Sequence, residues 1–502
     1  MPHLLTAAGW RKDRGAYKHI VMSRNAPSAG SATFVTGSTM RHVLTMTATA
    51  SVGLLAVFLV DMLNLFYISL LGVRELAAAI GFASTLMFFT LSISIGLTIP
   101  TAALVGRCLG RGDRPEAAEM AGASMVFMAL VSVATTFAIW PFLRPLLSLL
   151  GARGETLELS LRFLQIVIPS TPLMALGMCA TGILRGAGDA RRSMYVTLFS
   201  AVATAVLDPL LIFGLKLGLD GAAISTILSR VVMLAVGWYG AQAVHKLLAF
   251  PTRERLRAAV RPYFDIGVPA ILTQLATPVG NAYMMGALAR FGDEAVAGMA
   301  VIGRIVPVAF VALFALSGAV GPILAQNLGA GRFDRLRSAL RDALVFSTAY
   351  VLVVWALLAV FAHQLSDLFG ADALARDLIV FFCYPVAGRF LFEGAIFVAS
   401  AAFNNLGFPH YSTILNWARS TLGVIPFVSA GAAWYGAEGA LAGSALGVIV
   451  FGVIAVAWCY RVVGRVVARG EAQKLEDIPP APPPSAQSPF STGKAATVQT
   501  VQ

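Results

Sequence analysis

The chain has 502 residues, 58% of them apolar and 12% charged, with a formal net charge of +12 and a mean hydropathy of +0.77. A soluble domain carries about 25% charge, and its core helices rarely hold the roughly 20 continuous apolar residues that cross a bilayer. Composition therefore excludes a soluble globular protein, and the basic excess bears on orientation in a membrane rather than on nucleic acid.

The first 42 residues are basic (RKDRGAYKHIVMSR) and lack the apolar core of a cleavable signal; they are expected to form a disordered cytoplasmic tail. Apolar runs punctuated by Gly, Pro and charge then predict twelve helices, at 43–70, 76–104, 119–146, 157–184, 193–215, 220–244, 264–289, 295–324, 341–363, 376–403, 411–435 and 438–461. The expected fold is an all-α polytopic membrane protein with two six-helix lobes, 43–246 and 264–461, joined by a connector at 247–263. Residues 462–502, with IPPAPPPSAQSP, are expected to be a disordered proline-rich tail. Of the 37 Lys and Arg, 26 fall in the two tails and in connections 2–3, 4–5, 6–7 and 8–9. Positive charge stays inside, so both termini are expected in the cytoplasm of a bacterial-type inner membrane. Cys108, Cys179, Cys383 and Cys459 have no metal-ligand spacing, and neither a metal nor another cofactor is expected.

The halves repeat at an offset of about 219 residues. SLLGVRELAAAIGF aligns with ARFGDEAVAGMAVI, LGRGD (109–113) with LGAGR (328–332), LRGAGD with NNLGFP, and GLDGAAISTILS with GAEGALAGSALG. Six helices per half give both halves the same orientation, so the expected relation is a pseudo-two-fold axis along the membrane normal.

Two acids interrupt long apolar runs: Asp61 in LLAVFLVDMLNLFYISLLG and Asp208 in LFSAVATAVLDPLLIFG. A charge at such depth is costly and marks a functional candidate. Both lie about 16–18 Å inside their turns at Gly72 and Asp220 if the helices are straight. Desolvation favours the neutral form of a carboxyl group, so such a pair suits the exchange of a proton or another cation.

Asp61 ahead of Gly72 and LAA, LGRGD, LRGAGDARRSM, and LDPLLIFG followed by GLDGAAIST together resemble the multidrug and toxic compound extrusion family, over about residues 34–465. The resemblance implies two six-helix lobes around a V-shaped cleft. It also implies antiport of amphiphilic, often cationic, small molecules against H⁺ or Na⁺, by a monomer in a lipid bilayer. It places helices 1 and 5 together, with Asp61 and Asp208 as cation-coupling residues. Many relatives carry Asn where this chain has Thr204, and some bend the first helix at a proline, whereas helix 1 here has only Gly53 as a flexible point.

Asn64 and Tyr67, three and six residues beyond Asp61, are expected to hydrogen-bond it. The repeat sets Asp61 opposite Asn281 and Asp208 close to Phe427, so charge is concentrated in the first lobe. In helix 10, Arg389 and Glu393 read either as a self-neutralising i,i+4 pair or as a second acidic site; Arg162 and Arg304 are expected to pair or snorkel. Rings and flexible methionines suit hydrophobic cations. Phe58, Phe66, Phe88, Phe89, Asn281, Tyr283, Met284, Met285 and Trp417 are the candidate cavity lining. Two alternatives stand beside an antiporter: a flippase of lipids or lipid-linked oligosaccharides on a related fold, and a membrane-embedded enzyme. The first calls for a cluster of basic groups, and the second for a catalytic motif that the six dispersed histidines do not supply. No GxxxxGK[ST] sequence is present for a nucleotide-driven pump.

Overall fold

The computed structural model describes residues 32–69, 74–371 and 373–476, and every regular element among them is helical. The first half contains α1 (Thr39–Ser69), α2 (Arg74–Gly110), α3 (Arg114–Ile139, continued by Leu143–Leu149), α4 (Gly154–Val167 and Thr171–Ala187), α5 (Ala190–Pro209, running into a π-turn at Leu210–Gly214) and α6 (Gly218–Trp238). The second contains α7 (Arg253–Leu288), α8 (Asp293–Ala309 and Val311–Gly329), α9 (Phe333–Val360), α10 (Ala373–Cys383 and Phe390–Leu406) and α11 (Pro409–Thr421, continued from Ile425). Non-helical Tyr435 and Gly436 (φ 62°) turn the chain from α11 into α12, which covers 437–476.

Ten helical stretches among the described residues are long and apolar enough to span a bilayer, and the last, Pro409–Ala472, contains both α11 and α12. α7 falls short on composition because Pro269, Thr273, Gln274, Thr277, Pro278 and Asn281 dilute its apolar residues. Counting it gives the twelve expected spans.

Most helices run a turn or more beyond the sequence expectation, α2 to Gly110, α3 from Arg114, α8 to Gly329 and α9 from Phe333 among them. α1 starts at Thr39 because the segment before it docks on the protein. α7 starts at Arg253, where the Thr252 side chain accepts from the Arg255 amide and caps the helix. α12 runs on to Glu476. The expectations for residues 1–31 and 477–502, and the turn at Gly72, lie outside the described residues.

The packing repeats across the two halves. α1 lies along α5 as α7 lies along α11; α2 packs on α4 as α8 does on α10; α2 meets α7 as α8 meets α1. Paired glycines turn the chain at equivalent places. Gly188 (φ 84°) and Gly407 (φ 95°) end α4 and α10 in the left-handed region that a Cβ disfavours.

The lobes join at the end carrying the α2–α3 and α8–α9 turns, hereafter the closed end. A Cβ on Gly110 would lie 2.2 Å from the Gln326 carbonyl oxygen, and one on Gly329 would lie 2.2 Å from that of Arg107. The LG-x-G sequences are therefore the crossing point of α2 and α8. Each crossing helix also reaches across the seam. The Arg107 guanidinium donates to the Asn405 carbonyl (2.7 and 3.2 Å), and the Gln326 side-chain amide donates to the Gly186 carbonyl (2.8 Å). Residues 33–37 lie over this seam. Phe34 is 2% exposed; its N–H donates to Gln326 Oε1, and its carbonyl accepts from Asn327 and Arg335.

Beside the seam, Asp189 caps α5 and accepts hydrogen bonds from the Arg192 amide and guanidinium, and its Oδ2 lies 2.8 Å from His245 Nε2. Burial opposes its charge, but the bonds to His245 and Arg192 outweigh that cost and hold this carboxyl well below the usual range.

Candidate cation-coupling site and central cleft

Two contacts fix the register of α1 against α5. A Cβ on Gly53 would fall 2.2 Å from Thr197 Oγ1, and Tyr67 meets Phe213 edge-on with ring centroids 6.2 Å apart. Gly53 is thus a close-contact glycine that lets α5 approach, not a free hinge. Asp61 and Asp208 fall between these contacts, within about one helical turn of each other in depth.

The two acids differ in surroundings. Asp208 shares a face of α5 with Thr197 and Thr204, the face turned to α1. It is 1% exposed; the Ser225 hydroxyl of α6 lies close enough to donate to it, but no well-formed hydrogen bond reaches either carboxyl oxygen. Asn64, at the same level on the α5-facing side of α1, has a buried Oδ1 without a partner. Three helices thus bring Asp208, Ser225 and Asn64 to one depth. The Thr204 hydroxyl donates to the Ser200 carbonyl one turn back.

Asp61 is exposed, yet not on the outer surface. Ala48, Val52, Leu59, Leu63 and Phe66 form one exposed stripe along α1, and Asp61 lies about 180° around the helix from it. Val43, five turns earlier on the Asp61 face, is fully buried. The same face is therefore packed at the closed end and free further out, which defines a cleft open at the far end. α7 repeats the pattern. Thr277 and Asn281 are exposed on the face whose continuation, Ala259, Tyr263 and Ile266, is buried, opposite the exposed Val268, Leu272 and Val279.

The remaining candidates divide. Tyr67 does not bond Asp61: six residues rotate it about 120° away, into the rings of Phe213 and Phe66. Phe66 belongs to the outer stripe, and Phe58 packs on Phe314 of α8. Met284 is buried in the second lobe's core and is not cavity lining. Tyr283 shares a 2.5 Å hydrogen bond with Ser429. Trp417 donates to the Leu272 carbonyl, fastening α11 to α7. Phe88, Phe89 and Met285 are exposed.

Glu393 is not neutralised by Arg389 one turn away. It pairs with Arg419 of α11, at 2.9 Å, while Arg389 donates to Ser444 Oγ at 3.0 Å. Arg162 pairs with Asp220, and Arg304 is exposed on α8. Ser225, Thr277 and Arg419 were not singled out from sequence. Ser225 and Ser444 stand 219 residues apart, a correspondence the repeat offered. An apolar groove of about 540 Å³ between α5 and α6, lined by Phe199, Val202, Val206 and Val232 among others, lies on the outer surface and has no polar wall.

Two lobes of membrane-spanning helices, joined at one end around an acid-bearing cleft, define a secondary transporter rather than an enzyme. The MatE family model matches residues 50–210 and 269–428, one match in each lobe. The chain belongs to the MatE family. It is 30% identical over 436 residues to the FAD transporter of Shewanella oneidensis, covering 85% of this chain and 94% of that one. It is 26% identical over 403 residues to the multidrug export protein MepA of Staphylococcus aureus (78% and 86% covered). The fold superimposes on a Vibrio cholerae MATE transporter, VcmN, with a TM-score of 0.81 at 24% identity, covering 86% of this chain and 98% of that one.

Proposed function

We propose that the chain is an antiporter that exports amphiphilic compounds from the cytoplasm in exchange for protons, with Asp61 and Asp208 as the coupling groups. The observation that carries this reading is the buried Asp208 carboxyl, which has the Ser225 hydroxyl near it but no well-formed hydrogen bond, beside an acid that faces the cleft. One neutral hydroxyl does not compensate an ionised carboxylate there, a state costing several kcal/mol; a bound cation removes the charge. Asp61 meets the cation in the cleft and Asp208 holds it between α1 and α5. Asn64 and Ser225 supply the remaining polar contacts. A hard metal cation recruits a shell of about six oxygens, whereas a proton needs only a carboxylate, which is the group this site supplies twice. The basic closed end faces the cytoplasm by the positive-inside rule, which makes the described state outward-open. Both termini then lie inside, and the lobes divide at the 247–252 connector.

The MepA likeness supports a drug-like cargo. The test is uptake of ethidium into inside-out proteoliposomes under an imposed pH gradient, compared with an imposed Na⁺ gradient. The wild type responds to pH, and Asp61→Asn or Asp208→Asn lowers the driven flux at least tenfold while elution as folded protein is retained. Unchanged flux in both variants overturns the coupling role, and a response to Na⁺ alone overturns the proton.

A further inference from the structure

The second lobe carries its own ionic cluster, with the opposite sign. Arg389 and Glu393 on α10 and Arg419 on α11 put two guanidinium groups against one carboxylate. Arg419 and Glu393 are only 7% and 8% exposed. One carboxylate cannot neutralise both cations, and the hydrogen bonding is incomplete: the Nε atoms of Arg389 and Arg419 are both buried without an acceptor. A buried cation with unused donors is costly unless an anion completes it.

The scaffold does not demand the whole cluster. At the repeat offset, Arg389, Glu393 and Arg419 correspond to Ser170, Met174 and Ser200. The first lobe sets a single buried arginine here, Arg230 of α6, which donates to Ser170 and the Val167 carbonyl, and it has neither a second cation nor a carboxylate at the corresponding positions. Nor is the cluster sealed in the core. Arg419 Nη2 donates to Thr277 Oγ1 at 3.3 Å, and Thr277 is on the exposed, cleft-facing side of α7. The guanidinium thus stands directly behind the cleft wall opposite Asp61.

We propose that Arg419, braced by Glu393 and assisted by Arg389, forms a subsite in the second-lobe wall for the anionic group, phosphate or carboxylate, of an aromatic amphiphile. A planar guanidinium presents paired donors that match such oxygens. Glu393 fixes the Arg419 fork, leaving the Thr277-side nitrogen to the cargo; the cargo oxygens replace the Thr277 hydroxyl as acceptor. The cargo is then held at two walls of opposite charge, its anionic end on the second lobe. This inference rests on the antiport reading for its driving force but assigns a different lobe and a different chemical group.

The test compares flavin mononucleotide with riboflavin, which shares its ring system but lacks the phosphate, as cargo for the full chain in proteoliposomes under the driving gradient. In the wild type the KM for flavin mononucleotide is at least tenfold below that for riboflavin. Arg389→Gln brings that ratio towards one. The triple variant Arg389→Gln, Glu393→Gln, Arg419→Met, which removes all three charges together and strands none, does the same. A wild type that takes up riboflavin as readily as its phosphate ester overturns the subsite. So does a fall in uptake of both flavins by one common factor in the variants, which marks a structural role. Asp61→Asn distinguishes the two proposals: it stops driven uptake of both flavins, whereas the subsite is read only from their ratio.

Discussion

Asp61 and Asp208 show how two identical side chains receive different tasks from their neighbours. One faces the cleft; the other is closed between α1 and α5, with the Ser225 hydroxyl near it and no cationic partner among the described residues. Asp189 is a third case, with two partners on a capped helix end, and its charge serves structure. Its carboxyl is held below the usual range, so its stabilising contribution is complete above pH about 4. That contribution is lost only as the pH falls through the lower value of the folded protein. Asn also caps helices well, so Asp189→Asn removes mainly the ionic part, up to about 1 kcal/mol for so accessible a pair. Thermal unfolding in detergent is expected to show the largest gap between wild type and variant near neutral pH. The gap shrinks below pH 4; a gap that widened in acid would contradict the assignment. Asp61 was legible in the sequence because an acid in an apolar run has few explanations. The place of Arg419 was not, because α11 opens on a polar stretch, PHYSTILNWARST, in which one arginine is not conspicuous.

Helix α1 is a surface of three stripes. One faces outward, one packs on α5, and one is buried near the closed end but free at Asp61. Its counterpart α7 repeats this arrangement with Thr277 and Asn281. The short LG-x-G sequences that end α2 and α8 acquire their meaning at this scale. The first glycine of each, Gly110 or Gly329, admits the other helix's carbonyl, so Gly110→Ala and Gly329→Ala both force the crossing apart. A Cβ at 2.2 Å from oxygen cannot be accommodated without moving backbone. Each substitution is expected to cut driven ethidium flux at least fivefold, to a similar extent because the sites are equivalent. A large effect at one glycine and none at the other would refute reciprocal crossing. The sequence repeat exposed the glycine pair; it did not reveal that the two members touch each other's helices.

The molecule as a whole is a closed seam at one end and an open cleft at the other. Exchange of access requires the seam to part, taking with it the Arg107 and Gln326 bonds and the Phe34 segment that spans them. A Cβ on Gly106 would lie 3.2 Å from that of Ala325, a few tenths of an ångström short of the disulfide range, so a small opening of the crossing accommodates the bond. In the Gly106→Cys, Ala325→Cys double variant, oxidation is therefore expected to stop ethidium uptake, and dithiothreitol to restore it. Continued transport by the fully oxidised protein would exclude opening at this seam. The lobes also differ in the charged groups set deep in their helices: Asp61, Asp208 and Arg230 in the first, and Arg389, Arg419 and Glu393 in the second. The duplicated helix packing thus carries different side-chain charges in its two halves.

Hydropathy alone determined the membrane setting, the number of spans and the duplication, because a bilayer requires about 20 apolar residues per crossing and a repeat preserves punctuation. It also singled out the two first-lobe acids, since charge in an apolar run is conspicuous. Tertiary structure alone decided that Glu393 belongs to Arg419, that Tyr67 turns away from Asp61, that Met284 is core, and that residues 33–37 lock the closed end. Those outcomes depend on which helix faces arrive at one depth, and a rotation of about 100° per residue combined with contacts between distant helices is not written in local sequence.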